Sequence, residues 1–180
     1  MGLRGRSNFT DENCFFITTS VVNHLKVFHS NVCCDLLIDN IKHYQAKYHF
    51  NILGYVIMPS HFHWIIRTEN KYGTISDIMR DIKKYSAWDI MGEIGKKGDQ
   101  NLDKIFKNYA NKYPDQKRKF WNKRFDDVVI RSRKFFLQKL QYIHNNPVKA
   151  NLVKQPEDYK YSSARNYKYD DHSIIFIDTD

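Results

Sequence analysis

Two imidazoles stand one residue apart in VIMPSHFHWII, residues 56–66, inside one of the most apolar stretches of the chain. Side chains alternate along a strand, so His61 and His63 share one face while Phe62, Trp64 and Ile66 share the other. With the apolar set packed beneath covering helices, the imidazoles stand on the opposite, more open face, close enough to bind one metal ion. A satisfied core pair and an exposed pair are the alternatives that the motif alone leaves open. Two imidazoles by themselves suit zinc or another borderline transition metal. Far downstream, QYIHNNPVKANLV (141–153) puts Tyr142 and Asn146 four apart and therefore on one side of a helix. Phe136, Leu140 and Ile143 form the neighbouring apolar stripe, which fixes that helix to a sheet. The chain has 12 tyrosines, and Asn-Pro after a helix is an ordinary stop signal. Pattern alone therefore leaves Tyr142 either catalytic or structural.

The elements that must position these groups are legible from periodicity. CFFITTSVV (14–22) is β-branched and aromatic and reads as a strand. Cys34, Leu37, Ile38 and Ile41 give residues 31–48 the spacing of an amphipathic helix. FNILGYVI (50–57) and HFHWIIRT (61–68), separated by Pro59-Ser60, read as a hairpin. A second helix starts near Thr74, where Thr-x-x-Asp to Asp77 forms a capping box, with Ile75, Ile78, Met79 and Ile82 on its apolar face. Residues 95–119 are polar and lysine-rich, an insertion or mobile loop with a short helix around Leu102, Ile105, Phe106 and Tyr109. DDVVIRS (126–132) reads as a fourth strand, and Ser132 caps a third helix that runs to about Asn145 and stops at Pro147. The tail, residues 154–180, is tyrosine-rich, with Ile174 to Ile177 a short extra strand. This β-α-β-β-α-β order predicts an α+β, ferredoxin-like (RRM-like) split βαβ sandwich. Its antiparallel sheet carries helices on one face, followed by a C-terminal tyrosine-bearing helix.

Composition narrows the class of partner. A chain of 180 residues holds one domain, expected to span 1–180. Lys plus Arg is 29 against 20 for Asp plus Glu, a net charge of +9, which favours a polyanion, most commonly nucleic acid. The candidate contacts are Arg4, Arg6, Lys83, Lys84, Lys117, Arg118, Lys119, Lys123 and Arg124, taken in aggregate because each alone is as readily a solvated charge. Trp121 and Tyr109 are candidates for stacking on unpaired bases, and core positions otherwise. Three cysteines without CxxC spacing argue against a disulfide framework and a cysteine-built zinc site. The N-terminus lacks an apolar run and no stretch is long enough to span a bilayer, so the expectation is a cytoplasmic protein with no membrane association.

MPSHFHWII, then FWNKRFDDVVIRS, then YIHNNPVKANLV together resemble the IS200-like (Y1) transposases, and most of all their domesticated relatives, the REP-associated tyrosine transposases. The likeness runs in order from the first strand to about Tyr167. His-hydrophobic-His after Met-Pro, combined with a downstream Tyr-x-x-x-Asn-Pro-Val, is a specific pairing, although either half alone is weak. These are HUH-type nucleases that act on single-stranded DNA with one tyrosine. The resemblance implies that His61 and His63 are the HUH pair, Tyr142 the nucleophile and Asn146 the third metal ligand, where other members carry Gln. It also implies Mg²⁺ or Mn²⁺ as the divalent metal and a single-stranded DNA substrate bearing a hairpin. Mobile-element members are homodimers that exchange tyrosine helices, whereas domesticated ones act as monomers, and the resemblance leaves both open here. Two departures stand out: the long lysine-rich segment before Trp121, and Asn151 where a glycine is usual.

The implied chemistry suits these residue types. A divalent ion acts as Lewis acid and template for a phosphodiester, and attack by a tyrosine gives a 5′-phosphotyrosine and a free 3′-hydroxyl. The bond energy is retained, and no GxxxxGK[ST] nucleotide loop occurs in the chain. Two rivals remain at this level. One is a non-catalytic nucleic-acid-binding module on the same fold; the other is a metal-dependent hydrolase that forms no covalent intermediate.

Overall fold

The computed structural model describes residues 13–111 and 117–178. Arg4 and Arg6 lie outside the described residues. Strands β1 (Cys14–Ser20), β2 (Asn51–Met58), β3 (His61–Arg67) and β4 (Asp126–Val129) form one antiparallel sheet in the order β2-β3-β1-β4. That order, with a helix between β1 and β2 and helices between β3 and β4, is the expected α+β split βαβ arrangement.

Helix α1 (Asn31–Tyr48) keeps the limits its periodicity predicts, and helix α2 (Ile75–Lys96) starts at the predicted cap. There Thr74 Oγ1 accepts from the Asp77 amide at 3.2 Å, and Asp77 accepts from the Thr74 amide at 3.1 Å, so two otherwise orphaned amides are satisfied. Both helices pack on one sheet face. Leu37 and Ile41 of α1 with Ile78 and Ile82 of α2 meet Ile17, Ile52, Phe62, Trp64 and Ile66 in a single buried cluster.

The lysine-rich stretch contains the short helix expected around Leu102, Ile105, Phe106 and Tyr109, packed rather than left as a loop. Helix α2 extends through Lys96, and helix α3 (Gln100–Ala110) follows after a three-residue gap. Asp99 caps α3 by accepting from the Leu102 amide. Phe106 and Ala110, four apart, are both buried, and Phe106 joins the main core against Phe120 at 5.4 Å between ring centroids. Apolar residues at helical spacing thus outweigh the polar composition around them.

Helix α4 (Arg133–Lys149) lies on the opposite sheet face, so helices cover both sides. Ser132 caps it by accepting from the Phe135 amide at 3.2 Å, and Leu140 and Ile143 bury against Phe16, Leu53, Val56, Met58 and Ile65. Each such side chain contributes about 1.5–3 kcal/mol on burial. Gly54 permits the close approach, because a Cβ there would sit 2.7 Å from Leu140 Cδ1. Pro147 does not end the helix as expected; it lies inside the last turn, where its fixed φ suits a helix and only one amide donor is lost. The stop comes at Asn151, in the left-handed conformation with φ 54. Its amide bonds to Val148 O and the Leu152 amide to Pro147 O, both at 2.9 Å. Asparagine is the residue after glycine that best tolerates this conformation, so the departure noted in the sequence changes only a helix end.

The tail closes the β2 edge. Ile57 N donates to Tyr161 O and Ser163 N to Tyr55 O, each at 2.9 Å, and Asp178 N donates to Ile52 O at 3.0 Å. The hydroxyls of Tyr159 and Tyr167 add bonds to Ile57 O and Leu53 O. Residues 174–177 form no strand; Ile175 and Ile177 plug the main core instead. A short helix α5 (Ala164–Tyr169) lies between these anchors.

Candidate active site

β3 pairs with β1 so that Thr18 faces His63 and Ser20 faces His61. The Thr18 hydroxyl is 2.7 Å from His63 Nδ1. In the tautomer that donates from Nδ1, Nε2 presents its lone pair, and Nε2 is buried with no hydrogen-bond partner among the described residues. The two imidazole rings lie 4.8 Å apart between centroids, and His61 Nδ1 is 3.2 Å from Ser60 Oγ. Burial, the neighbouring His61 and the Lys139 ammonium hold His63 down at about 3, and burial with His24 lowers His61. Both rings are therefore neutral near pH 7, the form that binds metal.

The histidine face is not open. His63 is 4% exposed, because α4 covers this side and Phe16 stacks on the imidazole at 5.6 Å. The covering helix brings the tyrosine. Tyr142 is 40% exposed, and its ring lies 5.2 Å from His63 and 5.9 Å from Phe16 between centroids. Asn146, one turn on, donates from Nδ2 to the Tyr142 carbonyl at 2.9 Å. Its Oδ1 is thereby oriented away from that carbonyl.

Lys139 is a neighbour that sequence reasoning missed. Its Nζ lies 4.5 Å from the Phe16 centroid and 5.8 Å from that of Tyr142, and Lys149 Nζ is 5.9 Å from the same phenol ring. Lys139 precedes Tyr142 by three residues, and that helical spacing was a usable signal. Thr18 carried no such signal, since only the strand register sets it opposite His63.

The two histidines suit a divalent cation: a held, buried imidazole whose Nε2 has no partner among the described residues, with a second neutral imidazole beside it. Among the described residues no three His, Cys, Asp or Glu side chains come together as a metal site, so an all-imidazole, thiolate or carboxylate zinc cage is not present there. Cys33 and Cys34 are buried free thiols and Cys14 is half-buried; burial pushes the Cys34 thiol up to about 12.

The basic candidates do not converge on this site. Lys83, Lys84, Lys117, Arg118, Lys119 and Lys123 instead border one groove between α2 and the segment before β4; Arg124 is exposed outside it. Among the aromatic candidates, Trp121 is 5% exposed and belongs to the core, against which Tyr109 packs half-buried.

The model of the family "Transposase IS200 like" matches residues 16–146. The chain belongs to the IS200-like transposases. Its fold is similar to that of a REP-associated tyrosine transposase solved bound to a REP hairpin, with a TM-score of 0.66 and 21% identity over 99% of this chain and 94% of that one. A chain from Deinococcus radiodurans R1 aligns at TM-score 0.48 and 15% identity, over 79% of this chain and 97% of its own. No curated protein sequence matches the chain. Among the described residues, no helix is long and apolar enough to cross a membrane.

Proposed function

We propose that this transposase nicks and rejoins single-stranded DNA through a covalent 5′-phosphotyrosine on Tyr142, with hairpin-bearing DNA of the REP type as substrate. The observation that carries the reading is the meeting of Tyr142 with a neutral histidine pair in which the buried Nε2 of His63 has no partner among the described residues. His61, His63 and Asn146 would hold a divalent ion, Mg²⁺ or Mn²⁺. Bound there, it supplies Lewis-acid charge to a phosphodiester.

The chain's own residues account for the rest. Thr18 holds the orientation of His63 through its Nδ1. Phe16 and α4 exclude water from one side of the imidazole, while Tyr142 keeps enough exposure to reach a strand. A neutral phenol is a weak nucleophile, and Lys139 and Lys149 supply positive charge next to it as it loses its proton. Attack forms the Tyr142 Oη–phosphorus bond and breaks the bond to the 3′ oxygen, which leaves as a hydroxyl after protonation. Reversal by a 3′-hydroxyl re-forms the phosphodiester without a nucleotide cofactor.

The test is a denaturing gel after incubation with labelled hairpin-bearing single-stranded DNA and Mn²⁺. A slow-migrating protein–DNA adduct, absent with Tyr142→Phe, is expected. Cleavage without an adduct would instead mean hydrolysis by water, and retention without cleavage a binding module.

A further inference from the structure

On the sheet side that carries the main core, α2 and residues 117–125 bound a groove of about 890 Å³. Its inner wall is apolar, with Met79, Met91 and Trp121 taken from the core. The arginines at its rim are matched by acids: Arg80 by Asp77 and Asp81, Arg118 by Asp103. Lys83 and Lys84 are different, since neither is paired with a carboxylate among the described residues. Lys83 Nζ donates to the carbonyls of Asn122 at 2.8 Å and Lys123 at 3.2 Å. Burial, with the nearby Lys119, pushes its ammonium down to about 8, so a phosphate would restore charge stabilisation that the fold withholds. Lys84 Nζ stands 5.0 Å from the Trp88 ring and 5.1 Å from that of Tyr85. Trp88, on the rim, is 58% exposed, the largest indole surface that the described residues offer to solvent.

We propose that this groove seats the unpaired nucleotides that adjoin the cleaved phosphodiester, with a base stacked on Trp88 and phosphates held by Lys83 and Lys84. The inference rests on the nickase reading for the word "cleaved", but the binding chemistry stands by itself. A flat aromatic face flanked by ammonium groups that no carboxylate among the described residues neutralises matches a base and its phosphate. A duplex has its bases already stacked and offers Trp88 no open face. An acidic peptide would satisfy the lysines and leave the indole without a flat partner. Position agrees with this assignment. Asn122, on the groove wall, donates its amide to Ser20 O at 2.9 Å, and Ser20 is the register partner of His61. Two strand spacings, about 10 Å, therefore separate the backbone of this wall at Asn122 from that of His61.

The experiment uses the full chain without divalent metal, a fluorescent short oligo(dT), and a duplex of the same length. Trp88→Ala is expected to weaken oligo(dT) binding about tenfold, within the range that base–aromatic stacking supplies. Trp88→Phe should recover most of it, and duplex binding should change less than twofold. Lys84→Ala should flatten the salt dependence of oligo(dT) binding. Circular dichroism checks that each surface variant is folded. Equal affinity in Trp88→Ala, an equal loss for duplex, or displacement of oligo(dT) by polyglutamate at matched charge would each overturn the groove assignment. A normal Tyr142 adduct alongside such a result removes the groove alone. A missing adduct alongside the tenfold loss removes the nickase reading alone.

Discussion

Gly54→Ala puts a methyl group where the tyrosine helix rests on the sheet. The added carbon would lie 2.7 Å from Leu140 Cδ1, about 1 Å inside the usual carbon–carbon contact. Ser163 Oγ at 3.6 Å and Ile143 Cδ1 at 4.0 Å from the same point crowd the neighbouring directions. Leu140 is only 8% exposed, so it has little room to rotate and α4 must lift. Overpacking of this kind costs about 1–3 kcal/mol. A rigid helix carries the displacement two residues on to Tyr142, and misplacing a reacting group by about 1 Å costs on the order of 10²-fold in rate. The assay is the single-turnover rate of adduct formation with hairpin DNA and Mn²⁺, alongside urea denaturation. We expect a rate loss of roughly 10- to 100-fold at saturating metal. Gly54→Ala combined with Leu140→Ala should regain most of that rate despite lower stability, because the clashing carbon is gone. A single variant that reacts at the full rate, or a double variant that stays slow, refutes the idea that this contact sets the position of the tyrosine.

Thr18→Val keeps the side-chain shape but removes the anchor on His63 Nδ1; Mn²⁺ affinity by calorimetry should fall by about 10- to 100-fold with the fold intact. Asp81 makes stability acid-sensitive: burial tends to raise its carboxyl, but hydrogen bonds from Tyr48, Arg80 and Lys47 outweigh this and hold it well below the carboxylate range. Its contribution is complete above the unfolded-state value and is lost as pH falls toward the depressed folded one. Urea midpoints should thus drop as pH falls below about 4, the ordinary aspartate range, and Asp81→Asn should be weaker at neutral pH with a flatter acid limb. Asn151→Gly should stabilise the fold by on the order of 0.5 kcal/mol, read as a small rise in melting temperature, as the left-handed backbone loses its residual side-chain penalty.

Where one periodicity decided the outcome, the sequence was a sufficient guide. The apolar positions of α1, the Thr74–Asp77 box and the hairpin around Pro59-Ser60 all reappear in the structure. His61 and His63 do share a face, and Tyr142 arrives beside them, because alternation and helical spacing are local rules. The burial of His63 was not legible, since it depends on which face α4 chooses, and that is set by Gly54 and the Leu140 contact across the chain. Within residues 95–119 the helical spacing of Leu102, Ile105, Phe106 and Tyr109 located the helix, while the lysine-rich composition hid the burial of Phe106 and Ala110 that holds it. Pro147 misdirected the helix end for the opposite reason: a strong local signal was overridden, and the helix closes four residues on at Asn151 through the Asn151 and Leu152 amides. The gathering of seven basic residues from α2 and residues 117–123 around one groove is a long-range result that no short window of sequence contains.

His144 Nε2 is 2.8 Å from Ser163 Oγ, and the same oxygen accepts the Tyr55 amide at 3.0 Å. The helix that bears Tyr142 is thus clasped between β2, translated early, and a serine translated after the helix itself. During synthesis the histidine strand and the tyrosine helix emerge before the clasp can close. A nascent chain therefore carries the strand and the helix for a time without this contact, which closes only once Ser163 has left the ribosome.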